Sequence, residues 1–184
     1  MSQTDSIETL HSGRFLHLRR RDGWEYAERA NPQGAVVIIA LTPEDCVLMV
    51  EQFRVPIQSR TLEFPAGLIG DLSDSADESW EESARRELLE ETGWEATGMD
   101  DIMAGPTSAG MTNEFMRFAR ASGLKRINAG ADPGENIIVH EVPRGEVAAF
   151  VAAAMQRGFA VDPKVYAGIY FLEHDAWGQR VAGA

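Results

Sequence analysis

A formal net charge of −12 over 184 residues argues against a nucleic-acid partner, because proteins that hold phosphate backbones by general electrostatics present a basic face. A hydrophobic share of 44% is enough to bury a full core and fits one domain plus a small appendage, and no apolar run reaches membrane-spanning length. The single Cys46 excludes an internal disulfide, and the polar residues 1–8 do not form a signal peptide, so the expectation is a soluble, cytoplasmic protein with no membrane partner.

Two strand-like runs, 15–20 and 24–29, flank Arg21-Asp22-Gly23, whose Asp-Gly pair is a strong hairpin signal. Arg19, Arg20 and Arg21 alternate around the first of these strands and do not form a patch. After a pause at 31–34, the continuous apolar run 35–41 reads as a buried central strand, and 46–53 supplies another, with Cys46 as a buried structural thiol. Residues 62–67 form a short strand ending in a tight loop, and a helix follows at 78–92, with Asp77 or Ser75 as its cap and Glu78 in its first turn. Further strands are expected at 99–104, 114–119 and 136–142, and helices at 145–156 and 162–173. Interleaved strands and helices predict an α/β fold, a mixed sheet with helices on both faces.

The chemistry concentrates at 86–94. Glu87, Glu90 and Glu91 follow Arg86 at helical spacing, and at about 100° per residue all three carboxylates crowd one helix face. Such crowding is destabilising in an isolated helix and calls for a counter-charge. Arg86, four residues before Glu90, neutralises that one, which leaves Glu87 and Glu91 as paired hard ligands suited to Mg²⁺ or Mn²⁺. Acidic helices are usually solvated surface helices. This one carries Trp80, Ala84 and Leu88 at every fourth position, an apolar stripe that anchors it while the acids face elsewhere, and Gly93 is placed for a left-handed cap.

Gly67, Glu78 and then Arg86, Glu87, Leu88, Leu89, Glu90, Glu91, Thr92, Gly93 and Trp94 match every fixed residue type of the Nudix box. The fixed positions from Arg86 to Gly93 would arise by chance roughly once in a million windows. The chain is therefore identified as resembling Nudix hydrolases, with the expected fold of a Nudix α/β/α sandwich with a mixed sheet in 34–184. Ten residues separate Gly67 from Glu78, a longer gap than the family's usual one, and the extra residues read as a lengthened loop. Residues 1–33 resemble the strand-rich N-terminal segment that ADP-ribose and sugar-nucleotide pyrophosphatases use for dimerisation, which implies a homodimer.

The resemblance to that subfamily extends through residues 50–56 and 62–67, and it implies substrate contacts at Arg54, Glu63 and Gly67 and a metal-ligating carbonyl at Ala66. Beyond the box, Ser108-Ala109-Gly110-Met111-Thr112-Asn113-Glu114 is similar to a family loop whose glutamate touches the distal sugar, here Glu114, with Ala109 standing where proline is usual. Residues 131–136 correspond to an acidic loop that supplies a metal ligand and general base, for which Glu135 matches best and Asp132 second. Trp24 could stack on a base from across a dimer, although a packing role suits it better. The implied activity is metal-dependent hydrolysis of a nucleoside diphosphate sugar, with Arg86, Glu90 and Glu135 in catalysis and Glu87, Glu91, Ala66 and Glu135 on Mg²⁺ or Mn²⁺. A catalytically silent sensor module, a nucleoside triphosphatase and an RNA-end hydrolase are the alternative classes. The last of these lacks the basic groove it would need.

Overall fold

In the computed structural model, residues 6–30, 34–70, 78–128 and 136–181 are described. Asp22 and Gly23 both take positive φ, 50° and 83°, the combination a two-residue hairpin needs to match right-handed strand twist. They join β2 (Leu16–Arg21) to β3 (Trp24–Arg29). A further strand, β1 (Glu8–Ser12), pairs antiparallel with β2, and its polar sequence gave no period-two signal to announce it. Arg19 and Arg20 project to opposite faces of this sheet. Arg19 pairs with Glu28 at 2.7 Å, and Arg20 pairs with Glu25 and Glu8 at 2.9 and 3.2 Å.

The rest of the chain runs β4 (Ala35–Ala40), β5 (Cys46–Arg54), β6 (Ser59–Glu63), β7 (Ala66–Leu68), α1 (Trp80–Thr92), β8 (Trp94–Pro106), β9 (Phe115–Arg126), β10 (Ile137–Pro143), α2 (Val147–Gln156), β11 (Ala160–Val161) and α3 (Lys164–Phe171). These form two four-stranded mixed sheets, β10-β5-β6-β11 and β7-β4-β9-β8. The strand expected over 62–67 is two strands in different sheets. Pro65 cannot donate to a ladder, so β6 stops at Glu63 and β7 pairs instead with β4. Both β8 and β9 run far longer than expected, because Gly98 lies opposite Ser122 within the ladder, so the glycines there do not mark turns. Cys46 is only half-buried, at the first position of β5, with its thiol against the Glu44 carbonyl. The expected burial fails because Cys46 stands at the very start of the strand, next to the exposed turn 43–45.

Alternation along β4 divides the core. Val36, Ile38 and Ala40 face α1, packing with Ala84, Leu88, Trp94 and Met99. Val37 and Ile39 face α2 and α3, packing with Val47, Met49, Phe118, Val151, Val165 and Phe171. Helices thus cover both faces, as the continuous apolar run of β4 requires. Helix α1 is capped by Ser79, with a reciprocal capping box to Glu82, and ends on Gly93 at φ 75°. The expected cap at Asp77 or Ser75 is thus displaced to Ser79, whose hydroxyl accepts the Glu82 N–H while the Glu82 carboxylate accepts the Ser79 N–H. Asp77 and Ser75 themselves lie outside the described residues. Glu78 precedes the cap, outside the first turn, and accepts a hydrogen bond from Ser83 at 2.8 Å.

Candidate active site

The apolar stripe turns the acidic face of α1 toward β7. Ala84 and Leu88 are fully buried, and Trp80 packs against the same cluster. Glu87 and Glu91 are themselves only 8% and 5% exposed, whereas the Glu90 side chain is 38% exposed. Glu91 Oε2 accepts the Ala66 backbone N–H at 2.9 Å, which ties the helix to β7. Gly67 is fixed by sterics, since a Cβ there would stand 1.9 Å from Glu87 Cδ. The glycine is the cradle in which the Glu87 side chain lies.

Arg86 links the acids. Its guanidinium donates to Glu87 at 2.8 Å and Glu90 at 3.0 Å, and reaches Glu78 at 3.3 Å. Burial opposes its charge, but the hydrogen bonds it donates to Glu78, Glu87 and Glu90 and the charge of Glu87 outweigh that and raise its pKa. The expectation that Arg86 serves Glu90 and leaves Glu87 unneutralised is corrected: one Nη1 reaches both carboxylates because they flank the same turn. Among the described residues no three acidic, imidazole or thiol side chains converge closely enough to hold an ion as they stand, since Glu87 and Glu90 turn toward the guanidinium. The donor chemistry nonetheless fits a hard divalent cation, being carboxylates beside backbone carbonyls.

Strand register builds the neighbouring wall. Gln52 and Arg54 of β5 share a face with Thr61 and Glu63 of β6. Arg54 forks onto Glu63 with hydrogen bonds of 2.7 and 2.6 Å, and Thr61 donates to Glu63 at 2.6 Å. That bidentate bond, opposed by burial and helped by the charges of Glu63, Glu91 and Asp162, raises the Arg54 pKa. The two residues singled out separately in the sequence are therefore partners of each other.

Two clefts meet here. One, of about 490 Å³, is lined by Arg86, Glu87, Glu90 and Glu91 together with Gln52 and Asn136. The second, of about 470 Å³, is lined by Arg29, Glu63, Glu114, Asp162 and Lys164. Arg54, Ala66, Gly67 and Leu68 line both. Glu114 is held by an ion pair with Arg29, and its loop is docked onto the N-terminal sheet by the hydrogen bond from Ala27 N–H to the Met111 carbonyl at 2.8 Å.

Of the expected site residues, Arg54, Glu63, Ala66, Gly67, Arg86, Glu87, Glu90, Glu91 and Glu114 thus line this double cleft. Trp24 does not: it stands on the β2–β3 hairpin, 70% exposed. Glu135 and Asp132 lie outside the described residues, although the next described residue, Asn136, lines the acidic cleft. Arg29, Thr61, Asp162 and Lys164 were not anticipated. Their one sequence signal, an Asp-Pro-Lys helix start at 162–164, reads as ordinary capping.

A family model described as NUDIX domain matches residues 31–159. Among curated proteins, the chain is 32% identical over 161 residues to the methanol dehydrogenase activator of Bacillus methanolicus, covering 81% of this chain and 82% of that one. It is 34% identical over 131 residues to the ADP-ribose pyrophosphatase of Mycobacterium tuberculosis, covering 68% of this chain and 61% of that protein. The crystal structure of an ADP compounds hydrolase superposes with a TM-score of 0.67 at 20% identity, over 91% of this chain and 89% of that one, which is a likeness of fold.

Proposed function

The chain belongs to the Nudix hydrolase family, and from that premise we propose that it hydrolyses the diphosphate of nucleoside diphosphate sugars, ADP-ribose or a related compound, to a nucleoside monophosphate and a sugar phosphate. The observation that carries this reading is the double cleft. An acidic chamber suited to cation-bound phosphate opens, across Arg54 and the Ala66–Leu68 strand, into a polar chamber lined by Glu63 and Glu114. Relatives of about this identity are named ADP-ribose and ADP-sugar pyrophosphatases.

In this reading Glu87, Glu91 and the Ala66 carbonyl would hold Mg²⁺ or Mn²⁺, with Glu135 as a further ligand. Such an ion, when bound, polarises phosphoryl oxygens and lowers the pKa of water. Arg86 then remains as counter-charge to Glu78 and Glu90. Arg54 exchanges one arm of its fork on Glu63 for a phosphoryl oxygen, a geometry guanidinium suits. Glu114, oriented by Arg29, accepts hydrogen bonds from sugar hydroxyls. The proton of the attacking water passes to Glu135 or to Glu90, which is more exposed than Glu87 and Glu91. The three-stranded N-terminal sheet pairs two copies into a homodimer, and Trp24 stacks on a base from across it.

The test is turnover of ADP-ribose, ADP-glucose, GDP-mannose, UDP-glucose, NADH and a nucleoside triphosphate, with Mg²⁺ and with chelator. Metal-dependent release of a nucleoside monophosphate from diphosphate sugars is expected. Preference for the triphosphate, or silence with ligand binding intact, would refute the reading, and silence would favour a sensor.

A further inference from the structure

The segment matched by the family model ends at residue 159, yet the chain beyond it supplies a wall of the second cleft through Asp162 and Lys164. Strand β11 brings them there. It lies parallel to β6, with Ala160 opposite Thr61 and Val161 opposite Leu62, so the next residue, Asp162, comes level with Glu63. Its N–H donates to the Leu62 carbonyl at 3.2 Å. Helix α3, which starts at Lys164, is anchored by the buried Val165 and Phe171.

The pair is held in a defined pose. Asp162 Oδ1 accepts the Lys164 backbone N–H at 2.8 Å, and Oδ2 pairs with Lys164 Nζ. One carboxylate oxygen is therefore occupied by the backbone, and an ammonium has three donors, of which this pairing uses one. The composition of the whole cleft gives the pair its meaning. Three cations, Arg29, Arg54 and Lys164, and three carboxylates, Glu63, Glu114 and Asp162, line it. They are matched as Arg29–Glu114, Arg54–Glu63 and Lys164–Asp162. A wall of balanced charge offers many donors and acceptors without the net positive field that a terminal phosphate would call for. It suits an uncharged group rich in hydroxyls.

We propose that Asp162 and Lys164 form a sugar-binding pair: Lys164 Nζ donates to one hydroxyl oxygen of a vicinal diol on the group linked to the nucleoside diphosphate, and Asp162 Oδ2 accepts from the neighbouring hydroxyl. The assignment rests on the diphosphate-sugar reading of the site and adds to it a specificity determinant supplied by β11 and α3.

The experiment compares wild type with Lys164→Met, which keeps the apolar stem, and Asp162→Asn, which keeps the Oδ1 acceptor for the helix start. KM and kcat are measured on the best diphosphate sugar, and affinity for the nucleoside monophosphate, which lacks the distal sugar, is measured by calorimetry. For Lys164→Met the expected result is a KM raised on the order of ten-fold, from loss of a charged hydrogen bond, with kcat and nucleotide affinity little changed. Asp162→Asn should raise KM in the same direction with an unchanged melting temperature. Equal weakening of the nucleoside monophosphate would place Lys164 on the nucleotide and overturn the proposal, as would an unchanged KM. If wild-type protein neither binds nor cleaves any diphosphate sugar, the reading of the site itself falls, and this assignment with it.

Discussion

Replacing Gly67 by alanine isolates the geometry of the acidic helix from the stability of the fold. The added Cβ would lie 1.9 Å from Glu87 Cδ, 2.1 Å from Cγ and 2.3 Å from Oε1, against an ordinary carbon contact of about 3.5–4.0 Å. Roughly 1.5 Å of displacement is therefore forced on the carboxylate. Gly67 is not among the glycines at positive φ, so alanine adds no backbone strain. The atoms it meets are the far end of a flexible side chain, which can swing aside at a cost of about 1–2 kcal/mol, the lower part of the overpacking range. Misplacing a catalytic group by about 1 Å costs on the order of 10²-fold in rate. Gly67→Ala is thus expected to lose about two decades of kcat/KM on a diphosphate sugar while melting within a few degrees of wild type. Wild-type kcat/KM in the variant would show that the position of Glu87 does not matter to the reaction and would refute the reasoning.

Glu91→Gln keeps an acceptor for the Ala66 amide but removes the charge, so turnover should fall by on the order of 10²-fold or more with folding retained; full activity would sink the metal assignment. Leu88→Ala, beneath the acidic face and fully buried, should cost about 2–5 kcal/mol in denaturant unfolding, and a smaller loss would mean that α1 is not anchored by its stripe. Glu82 is held below its ordinary pKa by hydrogen bonds from the Ser79 backbone and side chain. A group depressed in the folded state stabilises above its unfolded pKa and loses that contribution as pH falls through the folded value. The melting-temperature gap between wild type and Glu82→Ala should therefore be present at neutral pH and close in acid. A gap independent of pH would argue against the capping box.

What could be read in advance was the local part. The Asp22-Gly23 turn, the apolar stripe of Trp80, Ala84 and Leu88, and the Gly93 cap are encoded by neighbours within a few positions, and each appears where the sequence places it. The Ser79 cap was missed because Ser75, Asp77 and Ser79 all qualify by type, and only the reciprocal bond to Glu82 separates them. The Nudix box was legible for the same reason, because its acids Glu87, Glu90 and Glu91 share one helix face within two turns.

The pairing of functional side chains was not local. Arg54 meets Glu63 because β5 and β6 are antiparallel in one register. Arg29 meets Glu114 because the N-terminal sheet docks on the 108–114 loop, and Asp162 comes level with Glu63 only because β11 adds parallel to β6. The sequence by itself determined the helix, its acids and the glycine that makes room for them, since periodicity and turn chemistry act over single turns of chain. Only the tertiary structure decided which cation faces which carboxylate around the second cleft, because strand register and sheet order depend on contacts between residues far apart in the chain, as Asp162 is from Leu62.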